Sequence, residues 1–163
     1  MSKILVLFYS YEGSTRKIAE LIASTIDADI EEIKPVKEMK SKGFAKFMWG
    51  GGQVVMKKRP ELNPLNVNLD DYDTIFLGSP VWAFTISPPI SSLLEKGCLK
   101  GKKIAFFHCQ DGAPAKTEEH AKAAIEKENT WLSAFGCTNV PGNYESLKDQ
   151  VVTWAKETLN QAA

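Results

Sequence analysis

Apolar runs of strand length alternate along the chain with segments whose apolar residues recur at helical spacing. Lys3 to Tyr9 reads as a continuous apolar strand, the pattern of a central parallel strand covered on both faces. From Ser14 the period changes, and Ile18, Leu21, Ile22 and Ile26 form one helical stripe with Arg16, Lys17 and Glu20 outside it. Ala28 to Ile33 alternates and stops before Pro35, as expected of a second strand nearer a sheet edge. Residues 40–64 are less regular and have room for a short helix within a long connection. Order returns with a third strand, Thr74 to Gly78, followed by SPVWAFTISPP, whose prolines and β-branched residues predict a loop. Pro88 and Pro89 open a helix over Ile90 to Lys96 with Gly97 as its C-terminal cap, and Lys103 to Cys109 makes a fourth strand. A helix is expected from Thr117 to Phe135 on the stripe Ala121, Ala124, Ile125, Leu132 and Phe135, then a short fifth strand over Thr138 to Val140. The last helix is expected from Ser146, where SLKD resembles a capping box, with Leu147, Val151, Trp154 and Ala155 turned inward.

Strand and helix alternating five times imply an α/β fold: a doubly wound, five-stranded parallel sheet in the order 2-1-3-4-5 with helices on both faces. At 163 residues and 44% hydrophobic content, one domain over 1–163 is expected. Twenty basic and twenty acidic residues cancel, so no bulk charge points to nucleic acid or a membrane surface, and an anionic ligand must be held locally. Cys98, Cys109 and Cys137 are too scattered for a disulfide framework or zinc site, and no metal ligand set is visible. The apolar N-terminal run is too short for a signal-peptide core and no run reaches membrane-span length, so the expectation is a cytoplasmic protein.

Ligands of such a sheet bind beyond the carboxyl ends of the strands, near the reversal of strand order. Three loops leave those ends: 10–15, 79–86 and 108–113. In the first, Ser10, Glu12, Gly13, Ser14 and Thr15 stand where a strand hands over to a helix N-terminus. Unpaired N–H groups, the helix dipole and three hydroxyls together suit a phosphate. Neither G-x-x-x-x-G-K-[ST] nor G-x-G-x-x-G is present. The alternative is that Ser14 only caps the helix and Gly13 only makes the turn.

The segment Ser10-Tyr11-Glu12-Gly13-Ser14-Thr15 resembles the phosphate-binding turn [ST]-x-[TE]-G-x-T of the flavodoxin family, and the spacing of strands and loops agrees along the chain. The resemblance implies non-covalently bound FMN on the doubly wound sheet. Glu12 stands where many flavodoxins have threonine. Its backbone amide is the expected contribution, with Arg16 and Lys17 tempering the field.

The second loop, Ser79, Pro80, Val81, Trp82, Ala83 and Phe84, offers an apolar wall for a flavin ring, and is similar to the flavin-contacting loop of flavodoxin-like NAD(P)H:quinone reductases. Either aromatic, Trp82 or Phe84, can face the ring. In the third loop Cys109, Gln110, Asp111 and Gly112 can hydrogen-bond the pyrimidine edge, and no aromatic replaces the stacking tyrosine common in electron-carrier flavodoxins. Cys109 and His108 read as packing residues at a strand end, His108 having no acidic partner in view. Lys57-Lys58-Arg59 reads as a solvated loop.

The expected function is an FMN-binding redox protein that mediates electron transfer, with no side chain required as a catalytic acid or base. Its partner is either a redox protein or NAD(P)H with a quinone-like acceptor, which makes an NAD(P)H-dependent FMN quinone reductase the alternative. Glu12 keeps a flavin-free phosphate-binding or interaction module in view. Nucleic acid and membrane are not expected as partners, and the chain is expected as a monomer or homodimer.

Overall fold

The N-terminal apolar run folds as strand β1 (Ile4–Phe8), with Leu5, Val6 and Leu7 fully buried. The computed structural model describes residues 3–37, 59–113 and 116–163. Residues 40–58 of the expected irregular connection over 40–64, Lys57 and Lys58 among them, therefore lie outside the described residues. After β1 come helix α1 (Ser14–Ile26), β2 (Asp29–Glu32), β3 (Thr74–Trp82), the short β4 (Thr85–Ile86), α2 (Pro88–Glu95), β5 (Lys103–Gln110), α3 (Thr117–Ile125), β6 (Thr130–Thr138) and α4 (Val140–Ala162).

The parallel sheet runs β2-β1-β3-β5-β6, the expected 2-1-3-4-5 order once β4, an antiparallel appendage of β3, is left out of the count. Alternation along β1 sends Leu5, Leu7 and Tyr9 into one layer with Ile90 and Leu93 of α2 and Ala121 and Ile125 of α3. Val6 and Phe8 enter the other with Ile18 and Ile22 of α1 and Val151 and Ala155 of α4. Both faces of the sheet are thus covered, which explains the unbroken apolar runs.

Three boundaries depart from expectation. The first concerns β3, which continues through Ser79 to Trp82 in register with β5 and then turns back as β4. Pro80 is tolerated there because β1 ends opposite Gly78, so the ladder on that side has already stopped. The second is the stretch expected as one helix to Phe135. Helix α3 ends at Ile125 and Thr130–Thr138 is the fifth parallel strand, with Trp131 and Ala134 packing into one layer and Leu132 and Phe135 into the other. The turn between them is closed by Asn129, whose side chain accepts from Lys102 N at 3.0 Å and donates to Leu99 O at 2.9 Å. Third, the expected strand at Thr138 to Val140 gives way to α4, which starts at Val140 rather than Ser146. Pro141 sits in its first turn, where a missing N–H costs nothing, and Ser146 Oγ donates to Asn143 O within the helix. No described helix is long and apolar enough to cross a membrane.

Candidate functional site

A cleft of about 600 Å³ opens at the carboxyl ends of β1, β3 and β5, beside the reversal of strand order between β1 and β3. All three loops marked in the sequence contribute to it. Among the described residues its two charged lining groups, Glu12 and Asp111, are both acidic, and no basic side chain lines it.

One end is the β1–α1 junction. Gly13 takes φ +101°, and a Cβ there would meet nothing within 4 Å, so glycine is required for the backbone angle and not for space. Ser10 Oγ accepts from Gly13 N and Arg16 N, both at 3.2 Å, and so fixes the turn. First-turn N–H groups have no helical acceptor. With Arg16 N taken by Ser10, those of Ser14 and Thr15 remain available beside their hydroxyls, and both residues line the cleft. Neither Arg16 nor Lys17 gives the expected cationic support at this end. Arg16 pairs with Glu32, and Lys17 Nζ lies 3.9 Å from the centre of the Tyr144 ring. The amides and hydroxyls of this end share the cleft lining with an exposed Glu12.

The opposite wall is the β3–β4 hairpin. Trp82 is buried and meets Tyr9 and Tyr11 edge to face, with ring centres 5.6 and 5.5 Å away. Phe84 is 62% exposed at the hairpin tip. Ser79, fully buried, pins the hairpin base: its hydroxyl donates to Pro80 O at 2.8 Å and accepts from Ser87 N at 3.0 Å. His120 of α3 braces the far strand through Thr85 Oγ1 at 3.0 Å. Ala83 and Phe84 adopt φ +48° and +64°, the angles of a two-residue turn that favours Asn-Gly. Holding two non-glycine residues there costs about 1–2 kcal/mol each, a strain tolerated while Phe84 is presented at the cleft mouth. Replacing Ala83 with Asn and Phe84 with Gly together is expected to raise Tm by about 3 °C in a thermal melt while weakening a stacked planar ligand about 10-fold.

The third side is the end of β5. Cys109 faces Cys137 across the β5–β6 ladder. Its thiol is pushed well above the usual range by the hydrogen bond with Cys137 and by burial, which outweigh the opposing contact with the Thr15 hydroxyl. It therefore stays protonated and serves as lining rather than as a nucleophile. His108, expected to lack an acidic partner, has one: Nε2 lies 2.8 Å from Glu118 Oε1, while Nδ1 lies 2.8 Å from Gln110 Oε1.

Of the residues marked in the sequence, the cleft brings together Glu12, Ser14, Thr15, Pro80, Val81, Trp82, Ala83, Phe84, Cys109, Gln110, Asp111 and Gly112. Ser10, Gly13 and Ser79 lie beneath the lining and shape it. Tyr11, Ala113 and Val140 also line it without having been singled out. The signal for Tyr11 was an aromatic in a polar turn, and Val140 becomes visible only once Thr130–Thr138 is read as a strand leading into α4.

Residues 3–154 match the family model described as flavodoxin. Among solved structures, a flavoprotein from Lactobacillus acidophilus NCFM in complex with FMN is similar at 25% identity and TM-score 0.68, over 89% of this chain and 99% of that one. The apo-form of the flavoprotein from the same organism is 28% identical with TM-score 0.65, over 88% and 97% of the two chains. A flavodoxin, WrbA-like protein from Agrobacterium tumefaciens shares the fold at 15% identity and TM-score 0.53, over 98% and 99%.

Proposed function

Because the chain belongs to the flavodoxin family, we propose that it holds FMN non-covalently in this cleft and works as a redox protein passing electrons to and from a partner. One observation carries the reading: a single cleft offers free helix N-terminal amides with two hydroxyls at one end and an apolar aromatic wall at the other. That pairing suits a ligand with one phosphate and one flat ring, and the cleft volume falls in the range of small-molecule sites.

Ser14 and Thr15 would hold the phosphate, Phe84 and the Trp82 edge of the hairpin the ring, and Gln110 with the Asp111–Gly112 backbone its polar rim. Bound flavin supplies the electron-accepting and electron-donating chemistry. The residues bind, orient and partly exclude water. Trp82 is locked by Tyr9 and Tyr11, so the wall is rigid, while the exposed Phe84 can follow the ligand. Glu12 opposes the phosphate charge across the rim. Glu12→Gln is accordingly expected to tighten FMN about 3-fold at low salt, to lose that gain at high salt and to leave riboflavin unchanged in fluorescence titrations.

A second reading, an NAD(P)H-dependent reductase acting on a quinone-like acceptor, is favoured by the third loop, whose described cleft residues are Cys109 to Ala113 with no ring among them. Steady-state oxidation of NADH or NADPH by the FMN-loaded protein with a quinone separates the two. The carrier reading expects no turnover with either nucleotide in the absence of a partner reductase, and turnover assigns the reductase.

A further inference from the structure

The polar network behind the cleft wall has a feature that lining alone does not require. His108 is 1% exposed on β5, stacked on Phe106 with ring centres 5.7 Å apart. Opposite it on β6 stands Gly136, where a Cβ would fall 2.6 Å from His108 Cε1, so room for the ring depends on that glycine. From the ring the network runs outward to Glu118, in the first turn of α3, and inward to Gln110, whose Nε2 donates to Thr138 Oγ1 at 3.0 Å. Of these four linked residues only Gln110 lines the cleft. On β3 the ring's neighbour in register is Ser79, which is uncharged, and Asp111 follows Gln110 at the exposed cleft rim. Among the described residues the charged group in hydrogen-bond contact with the ring is Glu118.

A neutral imidazole carries one N–H and one bare nitrogen, whereas a carboxylate only accepts. Glu118 therefore claims the proton at Nε2, and Nδ1 is left to meet the amide of Gln110. In the arrangement described above both ring nitrogens face acceptor oxygens, Glu118 Oε1 at Nε2 and Gln110 Oε1 at Nδ1, whereas a bare Nδ1 would take the amide NH2 and turn the carbonyl to the Thr138 hydroxyl. We infer that His108 and Glu118 are positioning residues for Gln110, fixing which atom of its amide is offered to the ring end of the cleft. The inference rests on the flavin reading of the cleft, in which that amide meets the polar edge of the ring.

The test joins binding with spectroscopy on the full chain. Glu118 is half-exposed, so its variants retain the core. In titrations with FMN and with riboflavin, Glu118→Ala and Gln110→Ala are each expected to weaken both ligands by the same factor of about 5, because the contact is to the ring. The double variant is expected to lose no more than either single one, since Glu118 acts through Gln110. Nitrogen-15 NMR of the unliganded protein is expected to show His108 protonated at Nε2 in the wild type and in Glu118→Gln, and that proton lost from Nε2 in Glu118→Ala with a shift of the Gln110 amide. Losses that multiply in the double variant, or flavin affinity untouched by Glu118→Ala, overturn the inference. Ring and amide signals identical in wild type and Glu118→Ala overturn it too. If the wild type binds neither flavin, it is the functional reading that fails, and the NMR comparison still decides whether Glu118 positions Gln110.

Discussion

Replacing Ser14 with alanine and Thr15 with valine together is expected to weaken FMN about 100-fold and riboflavin less than about 3-fold. Among the described residues no cation lines the end of the cleft proposed for the phosphate, Arg16 and Lys17 being engaged with Glu32 and Tyr144, so the hydroxyls and first-turn amides would carry the anion. Hydrogen bonds to a charged group contribute about 1.5–3 kcal/mol each, and two of them account for the expected loss. Riboflavin has no phosphate and senses only the ring wall. Ser10→Ala acts differently. It removes the acceptor for Gly13 N and Arg16 N, so it loosens the turn, and a smaller FMN loss is expected from it alone. Fluorescence titration of each variant with the two flavins measures the difference. Equal losses for both ligands would remove the phosphate from this end of the cleft.

Gly78→Ala is expected to cost about 3 kcal/mol, seen as a fall in Tm of about 10 °C, although only one methyl group is added. The added Cβ would lie 2.2 Å from Phe107 Cζ, and Phe107 is fully buried between β3 and β6 with no room to withdraw. Gly78 is also the last β3 residue paired with β1 before the strand runs out to the hairpin wall. Displacement there is carried into Pro80 to Trp82, and flavin affinity is expected to fall with stability. A thermal melt with an unchanged midpoint would show that the sheet absorbs the methyl group at this point.

The β1–α1 side of the cleft was the most legible in the sequence, whereas the hairpin wall read as a loop. The β1–α1 junction is readable because an apolar strand, a polar turn and an amphipathic helix follow one another without ambiguity, and Ile18 and Ile22 lie on the face the periodicity assigned. TWLSAFGCT was hidden by the two-sided burial of its strand. With Trp131 and Ala134 on one face and Leu132 and Phe135 on the other, no alternation of polar residues marks a period of two, and Leu132 and Phe135 extend the stripe of α3 by coincidence. The turn before it contains neither Gly nor Pro and is set by the Asn129 side chain reaching Leu99 and Lys102, contacts that exist only in the folded chain. At the third loop, Gln110 and Asp111 could be marked because they immediately follow a strand. The Glu118 partner of His108 could not, because it lies beyond the loop and is brought back by the packing of α3. Cation placement failed for the same reason: Arg16 and Lys17 are next to the turn in sequence, but helix geometry turns them to Glu32 and Tyr144.

The most direct test of the central claim is titration of the flavin-stripped protein with FMN at micromolar concentration, followed by visible absorbance and quenching of flavin fluorescence. Saturable binding at one FMN per chain, tighter than riboflavin, is the predicted result. Absence of binding, or riboflavin bound as tightly as FMN, would contradict the assignment of the cleft.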